Sequence, residues 1–199
     1  MKTFTTRTKT AALATSLVAL TGAALASAAI HREGASPDVA KVEAQVVRLG
    51  DVPGFWSYSC PLADTDAASW AAGDGPEAAV LTREGFTLGV REPLRSQSGA
   101  TGASVALEFR TAAGATADLE RRERDARHAG DARTFAVPGL LAARGDTVRI
   151  GGLTIVRVAY TRGSVEYAVE ARASGRVDVT RLQRLLAATA ARAAGQGTN

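Results

Sequence analysis

Residues 153–171 read LTIVRVAYTRGSVEYAVEA, and the fold turns on how that stretch pairs with itself. Residues 153–160 are rich in β-branched and aromatic side chains, as a strand favours. Thr161, Arg162 and Gly163 then form a turn, and 164–171 alternate strictly. Val165, Tyr167, Val169 and Ala171 share one face, and Ser164, Glu166, Ala168 and Glu170 share the other. That pattern predicts a hairpin whose second strand has one apolar face and one wet face.

The same periodicity extends outward. Upstream, 134–139 (TFAVPG) and 146–152 (DTVRIGG) read as short strands. Earlier still, Phe86, Leu88 and Val90 alternate with Thr87, Gly89 and Arg91, until Pro93 ends the strand or marks an edge. Val105, Leu107 and Phe109 repeat the pattern after the small-residue connection 96–104 (SQSGATGAS). Between the strands lie helical segments. Val39, Val42, Val46, Val47 and Leu49 suit a short helix over 38–49, with a strand as the competing reading. Pro76 opens a short helix that closes at Gly85. Thr111 caps a helix over 112–129 whose first half offers Ala112, Ala115 and Leu119 to a core. Its second half is nearly all charge and is expected in solvent, supported by the pairs Glu120 with Arg124 and Glu123 with Arg127. Asp178 or Thr180 caps a last helix carrying Leu182, Leu185, Leu186, Thr189, Ala190 and Ala193 on one stripe. Short turns between successive strands imply an antiparallel arrangement. The fold class is therefore α+β, a single antiparallel sheet of about five strands with helices packed mainly on one side.

The chain has 199 residues, and its first thirty differ from the rest. Lys2, Arg7 and Lys9 precede an uncharged apolar run at 11–26, and Ala24-Leu25-Ala26 and Ala26-Ser27-Ala28 fit small-x-small cleavage sites. This predicts a Sec-type signal peptide over 1–29, the alternative being a retained membrane anchor. A tether at 30–37, one α+β domain over 38–195 and a disordered tail at 196–199 complete the expected organisation. The product is expected to be secreted or cell-envelope associated, with no stable membrane insertion after cleavage. Removing Lys2, Arg7 and Lys9 leaves 21 of the 24 basic residues against 20 acidic ones. The high isoelectric point thus gives no support to nucleic-acid binding. With a single cysteine, Cys60, no internal disulfide forms, and Cys60 is a buried thiol, a reactive thiol or an intermolecular link.

Catalytic chemistry finds little to work with. The two histidines, His31 and His128, and Cys60 do not make a zinc ligand set. No G-x-S-x-G elbow and no G-x-x-x-x-G-K loop occurs, so neither a serine hydrolase nor a phosphate cradle is indicated, and no cofactor is implied. The aromatic segment 52–60 (VPGFWSYSC) has two readings, core wall or ligand cleft. In the second, Trp56, Tyr58 and Trp70 form the wall and Phe86 and Phe109 pack behind them. Arg121, Arg122, Arg124 and Arg127 form a candidate partner surface, although the interleaved Glu120, Glu123 and Asp125 also suit a solvated helix face.

Several landmarks occur together: Leu49 to Trp56 (LGDVPGFW), Gly85-Phe86, Phe109 to Leu119 (FRTAAGATADL), Phe135 to Gly139 (FAVPG), Gly163 to Tyr167, and Leu182 to Arg192. In this order they resemble small exported domains and lipoproteins of actinobacteria, some of which resemble the extracellular sensor modules of receptor kinases. The chain departs from those sensors in lacking a cysteine pair and from the lipoproteins in lacking a lipid-accepting cysteine after its apolar run. The resemblance implies a non-enzymatic module for a small apolar ligand or a cell-envelope protein. The alternatives are an extracellular hydrolase and an interaction domain using the charged helix 118–128.

Overall fold

The computed structural model describes residues 52–57 and 61–196. The signal peptide, the tether, the helix expected at 38–49, Tyr58, Cys60 and residues 197–199 lie outside the described residues. Within them the chain runs through strand β1 (Phe55–Ser57), β2 (Leu62–Asp64), helix α1 (Ala67–Trp70), α2 (Gly75–Glu84), β3 (Phe86–Ser96), β4 (Thr101–Phe109), α3 (Ala112–Ala129), β5 (Asp131–Phe135), β6 (Arg144–Ile150), β7 (Leu153–Arg162), β8 (Val165–Ser174) and α4 (Val179–Gln196).

The strands form one antiparallel sheet in the order β1, β3, β4, β8, β7, β6, β5, with β2 pairing beside β1 along the outer edge of β3. The architecture is the α+β one that the alternation predicts, with eight strands in place of about five. The additional strands are short edge pieces, which carry too few residues to show a period. The hairpin at 153–171 forms its centre, with Tyr160 opposite Tyr167 and their rings stacked at 5.2 Å. β3 runs on through Pro93 to Ser96. Pro93 pairs with Ala103 on β4 and falls between the stretches that β1 and β2 cover, so neither short strand requires its missing N–H. One strand expectation is displaced. β5 ends at Phe135, and Val137-Pro138-Gly139 belongs to the following loop, where the Leu140 N–H donates to the Val137 carbonyl. Conversely, the loop expected over 61–76 contains β2 and the single-turn helix α1, capped by Asp66, whose side chain accepts from the Ser69 N–H at 2.8 Å.

Three of the four helices among the described residues cover one face of the sheet. α1, α2 and α3 pack there on Ala103, Val105, Leu107 and Phe109 of β4. The other face takes α4, whose Leu182, Leu186 and Ala190, four residues apart on one stripe, meet Val156, Val158 and Val169. A bulge between Phe86 and Leu88 turns Phe86 toward the first face, where its ring lies 6.0 Å from Trp70 and edge-on to Phe109 at 6.2 Å. α2 and α3 cross closely because Gly114 has no side chain: a β-carbon there would overlap the Glu84 carbonyl oxygen.

Candidate functional site

The polar side of β8 is not wet. Glu166 and Glu170 are buried under α3, and so are Arg157 on β7 and Asp146 on β6. α3 meets them with Asp118, fully buried, and with Arg121 and Arg122, nearly so. The second half of this helix therefore runs into solvent on one side only, because Arg121 and Arg122 on its other side supply counter-charges for the sheet. The Arg122 guanidinium donates to Asp118 at 2.6 Å and to Glu77 of α2 at 3.1 Å. Arg121 bridges both Glu77 oxygens at 2.9 and 3.0 Å and also pairs with Asp118. Arg157 donates to Glu166 at 2.9 Å.

This layer contains more carboxylate than the guanidiniums neutralise. Burial, and then the Asp118 charge, push the Glu166 carboxyl up to about 8 in spite of Arg157 and Arg122. The same two causes push Glu84 up to about 7. For Asp118 itself, burial opposes ionisation, but Arg122 and Arg121 outweigh it and hold the group below the usual carboxylate range. Asp118 is thus the carboxyl that ionises first, and Glu84 and Glu166, which hydrogen-bond to it, release their protons only at higher pH. Protonation also gives a donor role to Glu84 Oε2 and Glu166 Oε2, two buried oxygens that otherwise have no partner. Buried beneath the helices, the layer ties α2 and α3 to the sheet.

Of the three residues expected to line a ligand wall, the two described ones, Trp56 and Trp70, are not side by side. Phe55 turns into the core, and its neighbour Trp56 stands 41% exposed opposite Arg95. Trp70 is 5% exposed and lies against the backbone of Gly89, where any β-carbon would overlap the indole, while the Arg91 guanidinium stacks 4.6 Å from its ring centroid. Between Arg91 and Arg95 the strand advances roughly 13 Å, so the two indoles occupy separate sites. Trp70, Phe86 and Phe109 form one aromatic core cluster. The four arginines divide as well: Arg121 and Arg122 turn inward, whereas Arg124 and Arg127 stay more than half exposed and pair with Glu120 at 3.9 Å and Glu123 at 2.6 Å. His128 is exposed, with Nδ1 2.6 Å from the Arg124 carbonyl oxygen. Among the described residues no three histidine, cysteine or carboxylate side chains converge as metal ligands, and no helix is long and apolar enough to cross a membrane.

Concavity is found instead at the end of the sheet where α4 begins. A groove of about 780 Å³ lies between the Pro53-Gly54 turn, the β3–β4 turn and the start of α4. Each wall has a local cause. Pro53 and Gly54, the latter at φ 83°, reverse the chain so that the Phe55 N–H donates to the Val52 carbonyl at 3.0 Å. Ser96 fixes the β3–β4 turn by accepting from the Ala100 N–H at 3.0 Å through its hydroxyl. Asp178 caps α4 by accepting from the Arg181 N–H at 2.9 Å. Phe55, Leu153, Val177, Leu182 and Leu185 supply apolar surface, and Arg176 and Arg181 stand at the rim without a carboxylate partner among the described residues. A second depression of about 690 Å³ continues past Leu153, Arg176 and Val177 to Arg149 and the Gly151-Gly152 turn. An apolar floor with two arginines and the single capping carboxylate of Asp178 beside them suits a ligand that has a hydrocarbon body and an anionic end. Sequence reading missed this site because its residues come from four separate turns, although the Pro-Gly pair and the cap at Asp178 mark two of them.

No family model and no curated protein matches the chain. Among solved structures, the extracellular domain of PknH from Mycobacterium tuberculosis superposes with a TM-score of 0.52 at 13% identity, over 79% of this chain and 96% of that one. A putative uncharacterised protein from Mycobacterium smegmatis aligns over 70% of this chain and 88% of its own at 14% identity, with a TM-score of 0.32. The chain is therefore similar in fold, at remote sequence identity, to the extracellular domain of PknH.

Proposed function

We propose that this is an exported, non-enzymatic binding module whose site is the groove at the start of α4. Its ligand has an apolar body seated on Leu182, Leu185 and Phe55 and an anionic group between Arg176 and Arg181. The observation that carries the reading is the meeting, in one groove of about 780 Å³, of an apolar floor with Arg176 and Arg181, which form no ion pair among the described residues and outnumber the one capping carboxylate beside them, Asp178. The volume lies within the usual range for small-molecule sites. Export is supported by the apolar run 11–26 behind its basic start, and the fold shared with an extracellular domain agrees with it. The non-enzymatic reading draws support from the chemistry of the groove. Among the described residues that line it, the polar side chains include serines, a glutamine, arginines and the capping Asp178, but no histidine, cysteine or glutamate.

Calorimetric titration with decyl phosphate and with decanol tests this. Decyl phosphate is expected to bind and decanol to bind more weakly, and the Arg176→Gln, Arg181→Gln double variant removes the difference. Equal affinity for the two compounds in the unaltered protein would reject the assigned polarity of the site. Absence of binding by either would reject the groove as a site for amphiphiles.

A further inference from the structure

The two helix-bearing faces differ in charge. On α3 the exposed arginines are paired with glutamates, as described above. α4 is built otherwise, for Val179–Gln196 contains three arginines and no acidic residue. Arg181, Arg184, Ala188 and Arg192 fall on its exposed side at helical spacing, with Arg192 also donating to the Thr189 hydroxyl at 3.3 Å.

Beside this helix stands a loop of unusual composition. Residues 136–142 read AVPGLLA, without one polar side chain. Val137 and Leu140 turn inward onto the core that α4 covers, and a β-carbon at Gly139 would lie 3.9 Å from Ala191 of α4. The loop is held in shape, since the Leu140 N–H donates to the Val137 carbonyl and the Ala143 N–H to the Leu140 carbonyl at 3.0 Å. Its tip, Leu141, is fully exposed, and Ala136, Pro138 and Ala142 are exposed around it. A fixed apolar tip beside a helix face of one charge sign fits a surface that is soft, apolar below and anionic above. A folded acidic protein would match the arginines but would need a socket for a single protruding leucine.

We propose that this face docks on an anionic phospholipid surface, with Leu141 entering the acyl boundary and Arg184 and Arg192 against the headgroups. Arg184, Arg192 and Leu141 lie outside the groove, so the docking can fail while ligand binding stands, and the reverse. The direction of approach follows from the fold, because α4 and the β5–β6 loop project on the same side while the charge-balanced α3 faces away.

Sedimentation of the protein with vesicles of phosphatidylcholine, alone or mixed with phosphatidylglycerol, tests the proposal. Binding is expected on the mixed vesicles and to be much weaker on phosphatidylcholine alone. Arg184→Gln and Arg192→Gln should each weaken it about fivefold, and Leu141→Asp more than tenfold. An unchanged thermal transition and unchanged decyl phosphate binding in Leu141→Asp would show that the fold and the groove are intact. Equal binding to both vesicle types, no binding to the mixed vesicles, or full retention in Leu141→Asp would overturn the assignment. Capture on soluble polyglutamate that is unaffected by Leu141→Asp would also overturn it, in favour of an acidic partner.

Discussion

Replacing Glu166 by glutamine separates two descriptions of the layer beneath α3. If Glu166 were ionised and paired with Arg157, the change would remove one partner of a buried ion pair and cost about 3–5 kcal/mol at every pH near neutral. The geometry argues for a protonated carboxyl, since Glu166 Oε2 has no donor to meet it and Asp118, the stronger acid, lies beside it. The folded-state value near 8 lies above the ordinary 4.5, so between those limits the folded chain holds a proton that the unfolded chain has released. Stability from this group is then complete below about pH 4.5 and is lost as the pH rises through 8. The slope is about 1 kcal/mol per pH unit, and the total is on the order of 3 kcal/mol between pH 5 and pH 8. Glutamine keeps a hydrogen-bond donor toward Asp118 and cannot ionise. Glu166→Gln should therefore be within about 1 kcal/mol of the parent at pH 5 and the more stable of the two at pH 8.5, with a flatter pH profile. Urea unfolding at pH 5, 7 and 8.5, followed by far-ultraviolet dichroism, reads this directly. A pH-independent loss of several kcal/mol would refute the protonated carboxyl.

Other substitutions probe different parts of the structure. Arg122→Ala leaves Asp118, Glu77 and Glu166 buried with less positive charge, and should cost about 3–5 kcal/mol in urea unfolding. The two tryptophans should respond oppositely: Trp70→Ala removes a core ring and is expected to cost about 3–5 kcal/mol, while Trp56→Ala should stay below about 1 kcal/mol. Gly89→Ala drives a β-carbon into the Trp70 ring and should cost about 1–3 kcal/mol or more, with a change in the near-ultraviolet signal from the displaced indole.

How much of this could be read from the sequence depended on the length of each pattern. Strands of nine residues or more declare themselves, β3, β4 and β8 through alternation and β7 through its β-branched and aromatic content, and Thr111 and Asp178 mark their helix starts as capping residues do. Three-residue strands on the β3 edge have no period to show. The more instructive failure concerns Glu166, Glu170, Asp118, Arg121 and Arg122. Polar residues alternating along a strand, or grouped on a helix, look the same whether water or another charged element faces them. The sequence contains both halves of the layer, separated by some forty residues, and only the packing of α3 on β7 and β8 brings them together. Trp56 and Trp70 illustrate the reverse problem, since proximity in sequence suggested one wall and the strand pairing set them on different parts of β3. The groove was hidden for a third reason, because turns converge through topology and leave no spacing rule in the chain.

We propose above that the groove at the start of α4 receives an amphipathic anion. Amide chemical-shift mapping during titration with decyl phosphate tests it most directly. Saturable shifts confined to residues 53–55, 96–101, 153 and 172–186 are expected, and their absence in the Arg176→Gln, Arg181→Gln variant. Shifts centred instead on Trp56 and Leu62 at the β3 edge, or spread over the surface without saturation, would contradict it.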